Sequence, residues 1–573
     1  MNQTIKRSIR WIGTGAAVAA VAAGLYSFNE DKHNFEIVKS LDTFYSVFRE
    51  LNTYYVNETE PEKLIKSGID NMLRSLDPYT VFVPEEDIDA LEQMITGEYG
   101  GIGLVITQTD SATCIARELY QGFPADKSGI RPGDRLVSID GESIIGKSTE
   151  YISNRLRGTV GTRLTVQLTR QGSKKPIDKV LTRQTIQINP VSFYGMLDDE
   201  TGLIMLDNFT QNCAEEVEKA FVDLRDNRHA TRIILDLRHN PGGLLDDAVR
   251  IVNLFVPRGS EILSTRGRIK QWDKRYKATA QPIDTVMPMA VIINRGSASS
   301  SEIVAGTLQD LDRAVIIGER SFGKGLVQQT RSLAYNSRLK MTTAKYYIPS
   351  GRCIQALDYS HRDENGAVGY VPDSLISEYK TKGGRTVYDG GGISPDIYVT
   401  PRQYGNITSA LAAGDMMFRY AVEYASARPA IASPADFALT DADLAGFKAF
   451  VQRQADFRYT SATSESFERL KSVARKEGYY DAAHEQFEQL DSLLKLDVAK
   501  DMDMFADEIK EMLRIEILNI YYYQRGAIEG SLGTDPDLAQ ARATLADTRL
   551  YNGLLDGSIA SHAGDKRRSN RVR

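Results

Sequence analysis

Residues 290–310 read AVIINRGSASSSEIVAGTLQD, and residues 311–328 continue LDRAVIIGERSFGKGLVQ. An apolar β-type run from Ala290 to Ile293 stops at Asn294-Arg295-Gly296 and gives way to a burst of serines. A helical pattern then opens with Glu302, and a second apolar run at 314–317 leads to Lys324, set between Gly323 and Gly325, with Gln328 close behind. Strand, turn, helix and strand in that order belong to an α/β core with at least partly parallel strands. The same stretch carries chemistry. Serines at a strand-to-helix turn followed by a glycine-flanked lysine are parts from which a serine nucleophile with a lysine base is assembled, with no metal or cofactor needed.

A serine hydroxyl is a weak nucleophile until a positioned base takes its proton. The start of a helix aims unpaired N–H groups and a positive dipole end at the oxyanion that forms. Ser297, Ser299, Ser300 and Ser301 all lie in the turn, and the residues alone do not choose among them; Ser301 is equally placed to cap the Glu302 helix. For Lys324 to act as a base near neutral pH it must lose its proton, which burial favours. Gly323 and Gly325 permit close packing, Phe322, Leu326 and Val327 offer apolar surroundings, and Gln328 can hold the amine through its amide oxygen without adding charge. A surface lysine in a glycine loop is the competing reading. A third element, Asp236-Leu237-Arg238-His239-Asn240-Pro241-Gly242-Gly243, runs from a strand into a Pro-Gly-Gly turn and presents backbone N–H groups of the kind an oxyanion hole uses; a plain tight turn is the alternative. His239 and Asp236 invite a Ser-His-Asp triad, but neighbours along a strand point to opposite faces, and both are read as structural.

Outward from this core, the 573 residues are too many for one hydrophobic core and imply three or four domains. A composition of 42% hydrophobic and 25% charged residues is that of a globular protein. The net charge of −6 argues against a nucleic-acid binder. Cys114, Cys213 and Cys353 are too scattered for a disulfide framework or a metal site, and the histidines form no ligand motif. From residue 183 to 400, strand-like runs (204–206, 233–237, 289–293, 315–317) alternate with helical ones (214–226, 244–254, 302–310). Before them, residues 98–182 carry short strands and glycine turns, and residues 34–97 carry helical periodicity broken at Leu76-Asp77-Pro78-Tyr79-Thr80. Beyond residue 401 the chain turns helical, acidic and tyrosine-rich, ending in a basic tail expected to fray. At the other end, Lys6, Arg7 and Arg10 precede an uncharged apolar run over residues 11–28. That pattern fits a cleaved secretory signal or a retained membrane anchor and places the remainder outside the cytoplasm, in a bacterium the periplasm.

Two resemblances organise these parts. Gly100-Gly101-Ile102-Gly103-Leu104-Val105-Ile106, then Gly122-Phe123-Pro124-Ala125, then Ser128 to Gly141 resemble a PDZ domain in the right order. In that family the glycine loop receives a peptide's C-terminal carboxylate, and the peptide adds as a strand; the resemblance assigns this to Gly101, Ile102, Gly103 and Leu104. Gly-Ser-Ala-Ser-x-Ser-Glu-Ile, Gly-Glu-x-x-Phe-Gly-Lys-Gly-x-Val-Gln and Asp-Leu-Arg-x-Asn-Pro-Gly-Gly, together with Leu76-Asp77-Pro78-Tyr79, Tyr347 to Arg352 and Gly392 to Asp396, resemble the carboxyl-terminal processing peptidases, or tail-specific proteases. That resemblance spans roughly residues 35–400. It implies Ser299 as nucleophile, Lys324 as base, Gln328 as the residue orienting the lysine, and the backbone N–H groups of Ser300 and Gly242 (preferred over Gly243) as oxyanion donors. Ser300 stands where that family usually has alanine, and Cys353 where serine is common.

The expected architecture is multidomain α/β. N-terminal helices follow the 1–28 signal or anchor, a β-rich PDZ domain with helices occupies 98–182, an α/β protease core of the ClpP/crotonase-like kind occupies 183–400, and a C-terminal helical domain occupies 401–573. The expected function is that of a serine endopeptidase that binds protein C-termini and cleaves near them, without cofactor or metal. Its partners would be proteins or peptides with a free C-terminus, with adaptor binding or homo-oligomerisation through the helical domain and no nucleic acid. The rival expectation is a catalytically silent PDZ scaffold.

Overall fold

The computed structural model describes residues 34–108, 113–173, 175–364 and 366–564. The expected signal or anchor at 1–28 and the basic end of the tail lie outside them. Among the described residues, no helix is long and apolar enough to cross a membrane. The chain divides into two compact units, up to Phe82 and from Val83.

The first unit contains a helix over 34–54 and a second at Pro61–Arg74, with Gly68 placed 3.6 Å from the Phe44 ring if it carried a Cβ. The break at 76–80 is a turn built on a buried carboxylate. Asp77 accepts from the Tyr79 and Thr80 N–H groups and from the Thr80 hydroxyl, which fixes the bend that Pro78 starts.

The second unit opens with the helix Ile88–Thr96, stopped by Gly97 at φ = +74°. The PDZ-like sheet follows, in the order Leu104–Gln108, Cys114–Leu119, Arg135–Ile139, Arg163–Thr169, Ile177–Thr182, with every pair antiparallel. Its alternating residues (Leu164, Val166, Leu168) pack on Ile152 and Leu156 of the helix Thr149–Leu156, which Ser148 caps through its side chain. A separate ladder, Glu98–Gly101 against Gln184–Gln187, joins the chain entering this unit to the chain leaving it.

The core is a six-stranded sheet in the order Val191–Met196, Thr201–Leu206, Arg232–Asp236, Met289–Ile293, Val315–Gly318, Ile397–Tyr398. Its first pair is antiparallel and the others parallel. The central strands are apolar on both faces because both faces are covered. Val291 and Ile293 point to the helices Cys213–Val222, Leu245–Phe255 and Ser300–Asp310. Ala290 and Ile292 point the other way, to Leu538, Ala541, Leu545, Tyr551 and Leu554. These last residues belong to the helices Pro536–Ala546 and Thr548–Leu555, which close the back of the core sheet. A second, antiparallel sheet that the sequence reading did not foresee (Lys274–Lys277, Glu261–Gly267, Arg338–Tyr347, Leu326–Ser332) flanks the core.

The helices Met416–Ala427, Asp441–Gln452 and Ala506–Ser531 gather around Tyr420, Phe447, Phe450, Ile509, Leu513 and Ile517. The long Ala506–Ser531 helix is broken at Tyr523, where φ = 59° and ψ = −168°.

Candidate active site

Strand Met289–Ile293 runs into Asn294, whose side chain accepts from the N–H groups of Gly296 and His239. This ties the serine turn to the parallel turn after Arg232–Asp236. The four serines then separate by environment. The Ser297 hydroxyl donates to the Leu237 carbonyl at 2.7 Å, that of Ser300 to the Gly243 carbonyl at 3.0 Å, and that of Ser301 to the Asn240 carbonyl at 2.8 Å. Those three side chains staple one turn to the other, and all three residues are buried. Ser299 differs. It is partly exposed, it is the N-cap of helix Ser300–Asp310, and its backbone sits at φ = 55° and ψ = −111°. A positive φ on a residue with a Cβ costs on the order of 1–3 kcal/mol and persists only where its surroundings over-determine it. Ser301 is therefore not the cap; it lies within the first turn.

Glu302 supplies that over-determination. Its side chain is fully buried. Oε2 accepts from the Ser299 N–H and the Lys324 N–H, both at 2.8 Å, while Oε1 accepts from the Gly323 N–H at 2.7 Å and the Ser321 hydroxyl at 2.5 Å. Burial pushes this carboxyl up to about 7 against the opposing pull of those donors. One carboxylate thus joins the serine turn to the lysine loop. Across from it, the buried Tyr346 hydroxyl reaches the carbonyl of Lys324 at 2.8 Å and that of Ser299 at 3.2 Å.

Lys324 is partly buried. Its glycine neighbours are there for close approach: a Cβ on Gly323 (φ = +88°) would lie 2.4 Å from the Ala356 Cβ, and one on Gly325 would lie 2.8 Å from the Gln355 N. Of the apolar residues read as its surroundings, Leu326 is buried and Phe322 is 48% exposed. Gln328 lies on strand Leu326–Ser332 and donates through Nε2 to the Thr342 hydroxyl on the next strand, 3.1 Å away. That bond fixes the amide's orientation.

The Pro-Gly-Gly turn meets the serine turn directly. A Cβ on Gly242 (φ = +98°) would fall 2.8 Å from the Ser299 Cβ and 2.9 Å from the Ser300 N. No residue but glycine fits there, and Gly242 and Ser300 are brought side by side. The Gly242 N–H itself donates to the Asn240 side chain at 2.9 Å, so an oxyanion entering here competes with Asn240 for it. His239 (φ = 60°) is turned to Asn294, its Nε2 2.9 Å from Nδ2. Asp236 is paired with Arg238, which also reaches Asp535 and Asp537 at the start of helix Pro536–Ala546. Among the described residues, no hydrogen bond links Asp236, His239 and Ser299.

In the PDZ-like unit, Gly101 ends the entry ladder, Ile102 is buried, and Gly103 (φ = +73°) backs onto Phe123, whose Cβ would be 2.6 Å from a Cβ there. The carbonyls of Ile102 and Gly103 accept from the N–H groups of Ala125 and Tyr120. Leu104 begins the sheet's edge strand, beside helix Thr149–Leu156, where Gln108 and Thr149 are hydrogen-bonded. Ile102 and Gly103 thus link the strand Glu98–Gly101 to the edge strand Leu104–Gln108 of the PDZ-like sheet.

Two residues of the site, Glu302 and Tyr346, are not among those the sequence pattern assigns to it. Glu302 had a signal: Ser299-Ser300-Ser301-Glu302 has the spacing of a capping box. Tyr346, within strand Arg338–Tyr347, had none.

Comparison with known proteins gives three profile matches: "Peptidase family S41" over residues 200–360, "PDZ domain" over residues 115–170, and "Probable PDZ-protease, C-terminal helical domain" over residues 407–545. The chain is 34% identical over 366 residues to the carboxy-terminal-processing protease of Bartonella bacilliformis, an alignment covering 63% of this chain and 80% of that one. It is 31% identical over 358 residues to the carboxy-terminal processing protease CtpA of Bacillus subtilis, covering 61% of this chain and 76% of the relative. Among solved structures, a photosystem II D1 C-terminal processing protease is 28% identical, with 63% of this chain and 92% of that one covered and a TM-score of 0.35.

Proposed function

Because this chain belongs to the carboxy-terminal processing proteases of peptidase family S41, with a PDZ domain and a C-terminal helical domain, we propose that it cuts proteins near their C-termini with a Ser299–Lys324 dyad. The observation that carries this reading is the shared Glu302 oxygen. It binds the backbone N–H groups of Ser299 and Lys324 together, at the one serine of four whose hydroxyl is not donated into the neighbouring turn.

Neutral Lys324 takes the proton of the Ser299 hydroxyl as its oxygen attacks the scissile carbonyl. The oxyanion forms at the junction of the serine and Pro-Gly-Gly turns, where the Ser300 N–H and a glycine N–H, released from Asn240 in the case of Gly242, stabilise it. Protonated Lys324 then gives its proton to the departing amine, and water attacks the acyl-Ser299 ester with Lys324 again as base. Gln328, its Nε2 occupied by Thr342, offers its amide oxygen to the lysine. The substrate's tail adds to the Leu104–Gln108 edge with its carboxylate at the turn formed by Gly101, Ile102 and Gly103. Lys6, Arg7, Arg10 and the apolar run behind them fit an exported enzyme.

A fluorogenic peptide with an apolar C-terminus, in free-acid and amidated forms, tests both halves. Wild type is expected to cleave the free acid at least tenfold more efficiently (kcat/KM) than the amide, and Ser299→Ala and Lys324→Ala to cleave neither. Undiminished turnover by either variant overturns the dyad; equal rates on both peptides overturn tail recognition.

A further inference from the structure

Two buried polar side chains meet the same pair of backbone units from opposite sides. Glu302 takes the N–H groups of Ser299 and Lys324 on a single oxygen, and the Tyr346 hydroxyl lies against the carbonyls of the same two residues. Resting on the dyad reading above, we propose that Glu302 and Tyr346 are positioning residues that together set the spacing between the nucleophile and its base.

Helix capping alone does not explain Glu302. A capping box needs one acceptor for the cap N–H and ordinarily sits at the surface, where the carboxylate stays hydrated. Here the carboxyl is fully buried, and three of its four donors, Ser321 Oγ, Gly323 N and Lys324 N, come from the lysine loop and not from the helix. Burying an ionisable group is costly unless its partners require it. Core filling does not explain Tyr346 either. Its ring is 1% exposed, and phenylalanine would fill the same space without a hydroxyl to satisfy. That hydroxyl carries one proton for two carbonyls; the shorter contact, 2.8 Å, is to Lys324, so the lysine loop is its main hold.

The two contacts act on the parts of the site that most need them. Ser299 is held at φ = 55°, which a less constrained turn would relax. The lysine loop is rich in glycine (Gly323 and Gly325) and has little stiffness of its own. A displacement of about 1 Å between reacting groups costs on the order of a hundredfold in rate. A clamp on both backbones therefore acts on the chemical step and leaves tail binding alone.

The test is steady-state kinetics on the full-length protein with the free-acid reporter. Tyr346→Phe removes one oxygen and keeps the ring; Glu302→Gln keeps an oxygen facing Ser299 and Lys324 and loses the acceptor toward Gly323. Each is expected to lower kcat tenfold to a hundredfold with KM within twofold of wild type. The double variant is expected to fall well short of the product of the single effects, since both hold the same pair. The clamp is overturned if Tyr346→Phe, with unchanged circular dichroism, keeps kcat within twofold, or if its loss lies in KM. Should Tyr346→Phe fail to fold, the same thresholds applied to Glu302→Gln decide. Ser299→Ala separates the two proposals. If it is inactive while both clamp variants are unimpaired, only the clamp falls; if it retains activity, the dyad itself falls.

Discussion

The serine–lysine junction and the seam between the PDZ domain and the helical domain are held together by opposite means. At the junction most holds are bonds to backbone from buried side chains, those of Glu302, Tyr346, Ser297, Ser300, Ser301 and Asn240. At the seam the holds are partly exposed charges and single contacts. Arg117, a quarter exposed, pairs with Asp415 at 3.0 Å and Glu516 at 2.7 Å and lies 4.0 Å from the Phe418 ring centre. The Tyr523 hydroxyl, at the break in the long helix, donates to Asp126. A cavity of about 760 Å³, lined by Arg135, Arg170, Asp415, Arg419 and Glu423 among others, separates the surfaces nearby. Packed interiors have few discrete arrangements, whereas ion pairs near water re-form easily after a shift. The serine–lysine junction is fixed, and the PDZ domain is fastened in a way that yields.

Substitutions can break each side of that contrast. The largest effect is expected from Lys324→Ala: a loss of about a thousandfold or more in kcat/KM, with Tm within a few degrees of wild type. Retained turnover would mean that the lysine is not the base. Next, Gly242→Ala forces a Cβ to within 2.9 Å of Ser299 and Ser300 at φ = +98°. It is expected to cost about 2–4 kcal/mol of stability and on the order of a hundredfold in kcat, both read on one preparation by chemical denaturation and kinetics.

The third effect concerns pH. Burial raises the Glu302 carboxyl from 4.5 to about 7, so the folded state holds this proton more tightly than the unfolded chain. Its contribution to stability is fully present below pH 4.5 and is lost as pH rises toward 7, a change on the order of 3 kcal/mol. Glu302→Gln removes this dependence. Its Tm relative to wild type is expected to rise between pH 5 and pH 8, and a flat difference would contradict the assignment. The smallest effect is expected at the seam. Arg117→Met should cost about 1 kcal/mol or less in stability, while changing kcat/KM a few-fold and speeding limited proteolysis between the PDZ and helical domains. A loss as large as that of Gly242→Ala would show the seam to be as rigid as the junction.

How much of this was legible follows from where the information sits in the chain. The strand–turn–helix around Ser299 and the glycines beside Lys324 are local patterns with local causes, and they lie where the sequence indicated. So do the sheet strands at 289–293 and 315–317, whose unbroken apolar runs reflect cover on both faces. Phe322 misled because adjacency in sequence is not adjacency in space; its ring points outward while Leu326 turns in. Tyr346 and the helices at 536–555 were unreadable for a related reason. Their roles depend on partners far along the chain, the Ser299 and Lys324 carbonyls for one and the back of the core sheet for the other. The choice among four serines became physical only once three hydroxyls could be seen on the carbonyls of the 237–243 segment.

In the proposed reaction Ser299 is the acylated residue and Lys324 the base that activates it. Incubation with a peptide-like serine-acylating inhibitor at pH 8, followed by intact-mass and peptide mass spectrometry, tests it most directly. One adduct per chain, mapped to Ser299, is expected, with labelling of Lys324→Ala at least a hundredfold slower. Labelling of another residue, or equal rates in the lysine variant, would contradict it.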